Sequence, residues 1–367
     1  MNRKEEVTEK LDRVRIFLHE KQLDGILLSS LANFAWLTAG GDSHIDIDNK
    51  YGGVSLFITH DKAYAITNNI EAPRIETEEI ASLGFEFVVS KWHDDKEENS
   101  IFSKLTKGIT CGSDNVMPGM KFIGNEFKSI RYVLMQSEIE RYRWVGLHSS
   151  QAIERAAIEI QPGMTEFEIE AVMARNLLSD YMTPTVLLVA VDERNLLYHH
   201  PIPTEKKLKK YALLVCCCRR WGLVTSRSRS VYFGKIPRAL EAKQRAVTYV
   251  DAVMMARTRP GVTVKEVIKA AQDAYEKTGF PDEWNFQHQG GAIGYENRDY
   301  IGKPDMNEVI HNHQAFTWNP TIQDTKSEDT IIVNEKEPEL ITQTADWPTI
   351  EYVIDGITLK RPSILER

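Results

Sequence analysis

The chain has 367 residues, 42% hydrophobic and 27% charged, with a formal net charge of −8 at pH 7. That is enough for two domains with sizeable cores, in an ordinary globular composition. The acidic balance speaks against a nucleic-acid surface, which needs clustered Lys and Arg. No apolar run reaches the ~18 residues of a membrane span, and the start MNRKEEVTEKLDRVR lacks the apolar stretch of a secretory signal. A cytoplasmic protein, with neither nucleic acid nor membrane as partner, is the expectation.

Val7, Leu11, Val14, Leu18 and Leu23 recur near helical spacing and predict an amphipathic helix over residues 5–22. A short buried strand follows over 24–29. Two more, over 51–59 and 63–67, are joined by the polar turn His60, Asp61 and Lys62. Helix and strands in this order predict an α/β domain. The Gly- and turn-rich stretch 106–124 leads into a long helix over about 136–159. A boundary near residue 132 then divides the chain into domains 1–132 and 133–367.

The second domain contains an internal echo. QPGMTEFEIE, from Gln161, resembles RPGVTVKEVI, from Arg259, 98 residues further on. In each, Pro-Gly ends one helix and Thr caps the next, which predicts a duplicated helix–turn–helix unit with strands after it. Residues 210–234 read as a hairpin, outbound over 213–218, turning at Gly222 and returning over 223–233. Segments 315–320 and 330–333 add two strands, so this domain is α+β with a largely antiparallel sheet. Cys216, Cys217 and Cys218 are consecutive on the outbound strand. Alternation sends neighbours to opposite faces, so they cannot converge on one metal. With Cys111 they read as buried thiols in a reducing compartment.

Several of these segments together resemble the creatinase/aminopeptidase P/methionine aminopeptidase family. Arg13 to Arg15, LDGILL from Leu23 and NFAWLTAG from Asn33 resemble its non-catalytic N-terminal domain. The helix from Gln136 and the QPGMTE segment resemble the start of its catalytic domain. His200 to Thr204, Gly222 to Phe233, Gly290 to Asp299, Thr317 to Pro320 and Lys326 to Thr330 follow in the family's order, over nearly the whole chain. The resemblance implies a "pita-bread" C-terminal domain, with duplicated helix–strand units around a curved antiparallel sheet. It also implies an α/β creatinase-type N-terminal domain and a homodimer.

The family usually holds two divalent metals with Asp, Asp, His, Glu and Glu, which share an activated water. Carried over position by position, those ligands fall on Val215 (with Cys216 beside it), Ser226, Gly291, Asn319 and Glu328. Only the last is a carboxylate, so no metal and no other cofactor is expected. His200 matches the family's substrate-side histidine and is the candidate proton-transfer residue. Arg298 and Asp299 stand where the family has a His-Glu pair.

The candidate substrate contacts are Arg194, His199, Arg219, Ser226, His288, Gln289, Arg298, Asn319 and Glu328. An arginine among them suits a carboxylate, which it can grip with two parallel hydrogen bonds. If Ser226 faces the cleft, alternation turns Arg227 and Arg229 away from it, where surface or interdomain pairing is their ordinary use. The resulting reading is a metal-independent protein of creatinase or Xaa-Pro peptidase type, a hydrolase acting on a C–N bond of a small amino-acid derivative or dipeptide. Two alternatives stay open: a binding pseudoenzyme, and a metal-dependent Xaa-Pro peptidase with unusual ligands.

Overall fold

The computed structural model describes residues 1–367, the Glu98 side chain excepted. The chain forms two compact units, Met1–Arg131 and Tyr132–Arg367. In the first, helix α1 (Arg3–Lys21) opens with a capping box. Asn2 Oδ1 accepts from Glu5 N at 3.0 Å, and Glu5 Oε2 accepts from Asn2 N at 2.9 Å. The stripe Val7, Leu11, Val14 and Leu18 is buried, as the helical spacing requires.

Strands β1 (Gly25–Ser30), β2 (Tyr51–Thr59), β3 (Ala63–Asn68), β4 (Glu86–Ser90), β5 (Cys111–Ser113) and β6 (Lys121–Phe122) form one mixed sheet, ordered β4-β3-β2-β1-β5-β6. The connections carry helices α2 (Leu31–Leu37), α3 (Ala72–Arg74), α4 (Asp95–Thr106) and α5 (Gly124–Phe127). Asp114 fastens the end of β1 by accepting from Ser29 N, Ser30 N and Asn33 Nδ2 at 2.8, 3.0 and 2.7 Å. Trp36, on α2, is core.

The second unit repeats one pattern. In its first copy, α6 (Gln136–Glu159) and α7 (Glu166–Ser179) precede β7 (Thr183–Val191), the short α8 (Arg194–Leu197), β8 (Tyr211–Arg220) and β9 (Leu223–Tyr232). In its second copy, α9 (Arg238–Arg257) and α10 (Val264–Lys277) precede β10 (Gly290–Ile293), β11 (Tyr300–Ile301), β12 (Ala315–Trp318), β13 (Thr321–Ile322), β14 (Thr325–Lys326), β15 (Asp329–Ile332) and β16 (Glu339–Leu340).

The echo in the sequence has a physical cause. Gly163 and Gly261 turn the chain at φ 97° and 85°. Glu168 and Glu266 then accept from the backbone N–H of Thr165 and Thr263 at 2.7 and 2.8 Å, starting α7 and α10. Each threonine also makes an isolated β-bridge, to Lys207 and to Val309.

The strands run β19-β9-β8-β7 and β11-β10-β12-β15-β16, antiparallel except that β19 (Leu365–Glu366) lies parallel to β9. Strands β17 (Thr349–Ile354) and β18 (Ile357–Pro362) form a separate hairpin. The β8–β9 hairpin closes through Trp221 and Gly222, both left-handed, as a two-residue turn demands. The two sheets meet at β9 and β15. Thr330 Oγ1 accepts from Ser226 N at 2.9 Å and donates to Ser226 O at 3.0 Å, and Ser228 N donates to Glu328 O at 3.0 Å. That seam sets Ser226 beside Glu328.

Apolar faces of α6 and α7 pack on Val189, Leu214, Cys216 and Cys218, and those of α9 and α10 pack on Phe316, Trp318 and Ile331. The architecture is mixed α+β with a largely antiparallel second unit, as the sequence leads one to expect. Among the described residues, no helix is long and apolar enough to cross a membrane.

Candidate active-site cleft

Alternation along β8 and β9 decides which residues share a space. Cys217 pairs with Ser226 and Val215 with Ser228, so these four stand on one face, while Cys216, Cys218 and Arg227 stand on the other. The first face opens on a cavity of about 270 Å³. Val186, Leu188, Val215 and Cys217, from β7 and β8, make its apolar lining. The polar lining comes from His200 and from residues of the second copy: His288, Asn297, Arg298, Asn319, Lys326 and Glu328.

Glu328, just ahead of β15, is the only carboxylate in that lining. Ser226 Oγ donates to its Oε1 at 2.8 Å and Arg298 Nη2 to the same oxygen at 3.2 Å, while Lys326 Nζ lies 3.6 Å from Oε2. Burial alone would raise this carboxyl. Lys326, Arg298 and the Ser226 hydroxyl outweigh it and hold the group below its ordinary range, so Glu328 is ionised. Cys217 Sγ lies 2.8 Å from Ser226 Oγ, and burial pushes the Cys217 thiol up to about 11, so it is neutral.

His200 follows α8 and lies at the exposed edge of the cavity. Gln287 Nε2 donates to His200 Nε2 at 3.1 Å, which puts the ring proton on Nδ1. Burial, and then Lys326, lower its pKa. His288 lies on the loop before β10. Gly290 N donates to its Nδ1 at 3.3 Å, which leaves Nε2 as the N–H donor. Burial, and then Arg298 and Lys326, push it down to about 4. The two rings are 5.7 Å apart, and both are neutral at pH 7. Asn319, 2% exposed, carries an Oδ1 with no hydrogen-bond partner.

Of the sequence candidates, then, His200, Ser226, His288, Arg298, Asn319 and Glu328 come together. Four do not reach the cavity. Arg194 pairs with the buried Glu166 at the start of α7 and donates to Ile202 O at 2.9 Å, so it fixes its own loop. Gln289 uses both ends of its amide outside the cavity, accepting from Tyr275 Oη at 2.9 Å and donating to Gln287 O at 2.6 Å. Arg219 lies at the hairpin end of β8 beside Val224, and His199 falls outside the lining although its neighbour His200 is part of it.

Arg227 and Arg229 do face away from the cavity, but into the interior and not to a surface. Arg229 Nη1 donates to Asp329 at 3.1 Å. Arg227, 0% exposed, has Cys218 Sγ 3.7 Å from Nη2 and Cys216 Sγ 3.8 Å from Nη1. No sequence pattern pointed to Gln287 or Asn297. Lys326 had a signal, since it stands two residues before Glu328.

Two-metal hydrolysis would need five donors here, and the residues present do not fit it. Val215 has no donor atom. The Ser226 hydroxyl is engaged on Glu328. At Gly291 a Cβ would lie 2.1 Å from Tyr300 O, so an imidazole has no way to project from that position. Asn319 offers only a neutral amide oxygen. The single carboxylate already faces two cations, which would repel a divalent ion. Among the described residues, no three His, Cys, Asp or Glu side chains are grouped as a metal requires.

The family model for metallopeptidase family M24 matches residues 140–335. An uncharacterized peptidase of Staphylococcus epidermidis is 21% identical over 358 residues, covering 88% of this chain and 98% of the relative. The solved Xaa-Pro dipeptidase from Bacillus anthracis is similar at TM-score 0.77 and 19% identity, covering 92% of this chain and 98% of that one. The prolidase from Pyrococcus horikoshii OT3 is similar at TM-score 0.78 and 17% identity, again covering 92% and 98%. At these identities the solved structures establish the fold alone.

Proposed function

Because the chain belongs to metallopeptidase family M24, we propose that this cavity is its reaction centre, working without the family's metals on a C–N bond of a small amino-acid derivative or dipeptide. The supporting observation is that two neutral imidazoles, His200 and His288, line one cavity with the buried Glu328 and Lys326 and the half-buried Arg298.

His200 is the proton-transfer residue. A water that takes the place of the Gln287 amide on Nε2 gives that nitrogen a proton while its oxygen adds to the carbon of the C–N bond. The imidazolium then returns the proton to the departing nitrogen as the bond breaks. A neutral imidazole can do both. His288 keeps its Nε2 proton near neutrality and supplies a hydrogen bond to the oxygen on which charge develops.

The test is turnover of a panel of Xaa-Pro dipeptides and N-substituted amino acids in the presence of a chelator. His200→Ala is expected to lose about 10²–10⁴-fold in kcat/KM, the usual contribution of a positioned acid–base group, with folding intact. Unchanged turnover would remove His200 from the mechanism.

One observation favours a second reading, a binding protein without turnover. His200 is oriented by the neutral amide of Gln287 and not by a carboxylate. Stoichiometric binding of a panel member that is never hydrolysed would select it.

A further inference from the structure

We propose that the cavity is an anion site where the family usually has a cation site: Lys326 and Arg298 bind the oxoanion of a small, partly apolar amino-acid-like ligand. This rests on the reading of the cavity as the working site, and it adds the chemical class of what enters.

Groups around the cavity have unmet hydrogen-bonding capacity. Lys326 is 4% exposed, and its nearest carboxylate oxygen, Glu328 Oε2, is 3.6 Å away, beyond hydrogen-bond reach. An ammonium has three protons to place, and those of Lys326 face the cavity, whose occupant must accept them. Asn319 Oδ1 and Glu328 Oε2 are buried acceptors without a hydrogen-bonding donor. Buried polar groups are ordinarily satisfied, and exceptions grouped around one cavity mark what the occupant must supply. Here that is an acceptor-rich anion for Lys326, and N–H donors for Asn319 and Glu328.

Charge points the same way. The lining carries two cations, Arg298 and Lys326, against one carboxylate, Glu328. His288 adds a neutral N–H donor at Nε2, since its Nδ1 accepts from Gly290 N. Val186, Leu188, Val215 and Cys217 offer hydrocarbon contact. A ligand that meets all of this has a carboxylate, an amino or amide N–H and a short apolar group, in a cavity of about 270 Å³.

The experiment is calorimetric titration of the full chain with L-leucine, isovalerate, acetate and Mn²⁺, read as binding and independent of turnover. The expected order of affinity is L-leucine, then isovalerate, then acetate, with Mn²⁺ not bound at stoichiometry. Lys326→Gln should weaken L-leucine and isovalerate by about tenfold or more, as loss of a charge-assisted hydrogen bond does. Should that variant fail to fold, Arg298→Gln serves in its place. Asn319→Glu, which puts a carboxylate among the same groups, should weaken both carboxylates and leave the protein folded. No carboxylate binding by the wild type, equal binding in Lys326→Gln or Arg298→Gln, or stoichiometric Mn²⁺ on the wild type would each overturn the proposal. Carboxylate binding by a protein that hydrolyses no member of the Xaa-Pro dipeptide and N-substituted amino-acid panel would sink the catalytic reading and leave the anion site standing.

Discussion

The two copies of the repeated pattern give the cavity unlike walls. From the first copy come Val186, Leu188, Val215, Cys217 and one polar side chain, His200; from the second come His288, Asn297, Arg298, Asn319, Lys326 and Glu328. The first copy is not short of charge. It places Arg227 and Arg229 on the opposite face of the same hairpin, where Arg227 is wholly buried against the sulfurs of Cys216 and Cys218 and Arg229 meets Asp329. One backbone plan thus carries opposite chemistry on its two faces, and strand parity alone assigns each residue to one of them. The charged groups of the cavity come from one repeat, while the other contributes the neutral His200 and keeps its arginines for the interior.

The sharpest way to break this comparison is on the polar side. Glu328→Gln removes the one anion on which Ser226, Arg298 and Lys326 converge, and leaves the buried Lys326 and the half-buried Arg298 without a counter-charge. The expected loss is about 3–5 kcal/mol of unfolding free energy in urea, the usual cost of taking one partner from a buried pair. A loss under 1 kcal/mol would mean that the cations are solvated and that the polar wall is not a network.

The matching test on the interior face uses Arg227. Burial works against ionisation of Cys218, but the hydrogen bond from Cys216 and the nearby Arg227 guanidinium bring its pKa down to about 5, so a thiolate is the counter-ion of Arg227. Cys218→Ala strands a buried guanidinium and should cost about 3 kcal/mol, whereas Arg227→Met replaces the charge by apolar volume and should cost about 1 kcal/mol or less. If the methionine variant is the less stable of the two, the thiolate–guanidinium pairing is wrong.

Much of this layout was legible in the sequence, for reasons that can be named. The repeat showed itself because both turns need the same glycine and the same Thr-x-x-Glu cap, so physics keeps the two strings alike. The hairpin showed itself because an apolar run met Gly222. The opposed faces of Ser226 and Arg227 followed from alternation alone.

What stayed hidden was the choice of long-range partner. Arg194 pairs with Glu166 and Gln289 with Tyr275, contacts that no local pattern encodes. The hairpin of β17 and β18 was different. Asp355 and Gly356 between two β-prone segments are a turn signal that the sequence does carry. Gln287 carried no signal, because a glutamine that orients a histidine looks like any loop glutamine.

The chemistry proposed for this cavity depends on whether it holds the family's metals. The most direct measurement is plasma mass spectrometry of the purified full chain, before and after dialysis with manganese or cobalt. The donor set described above predicts no stoichiometric transition metal in either state. About two tightly held metal ions per chain, the number a two-metal hydrolase uses, would contradict it.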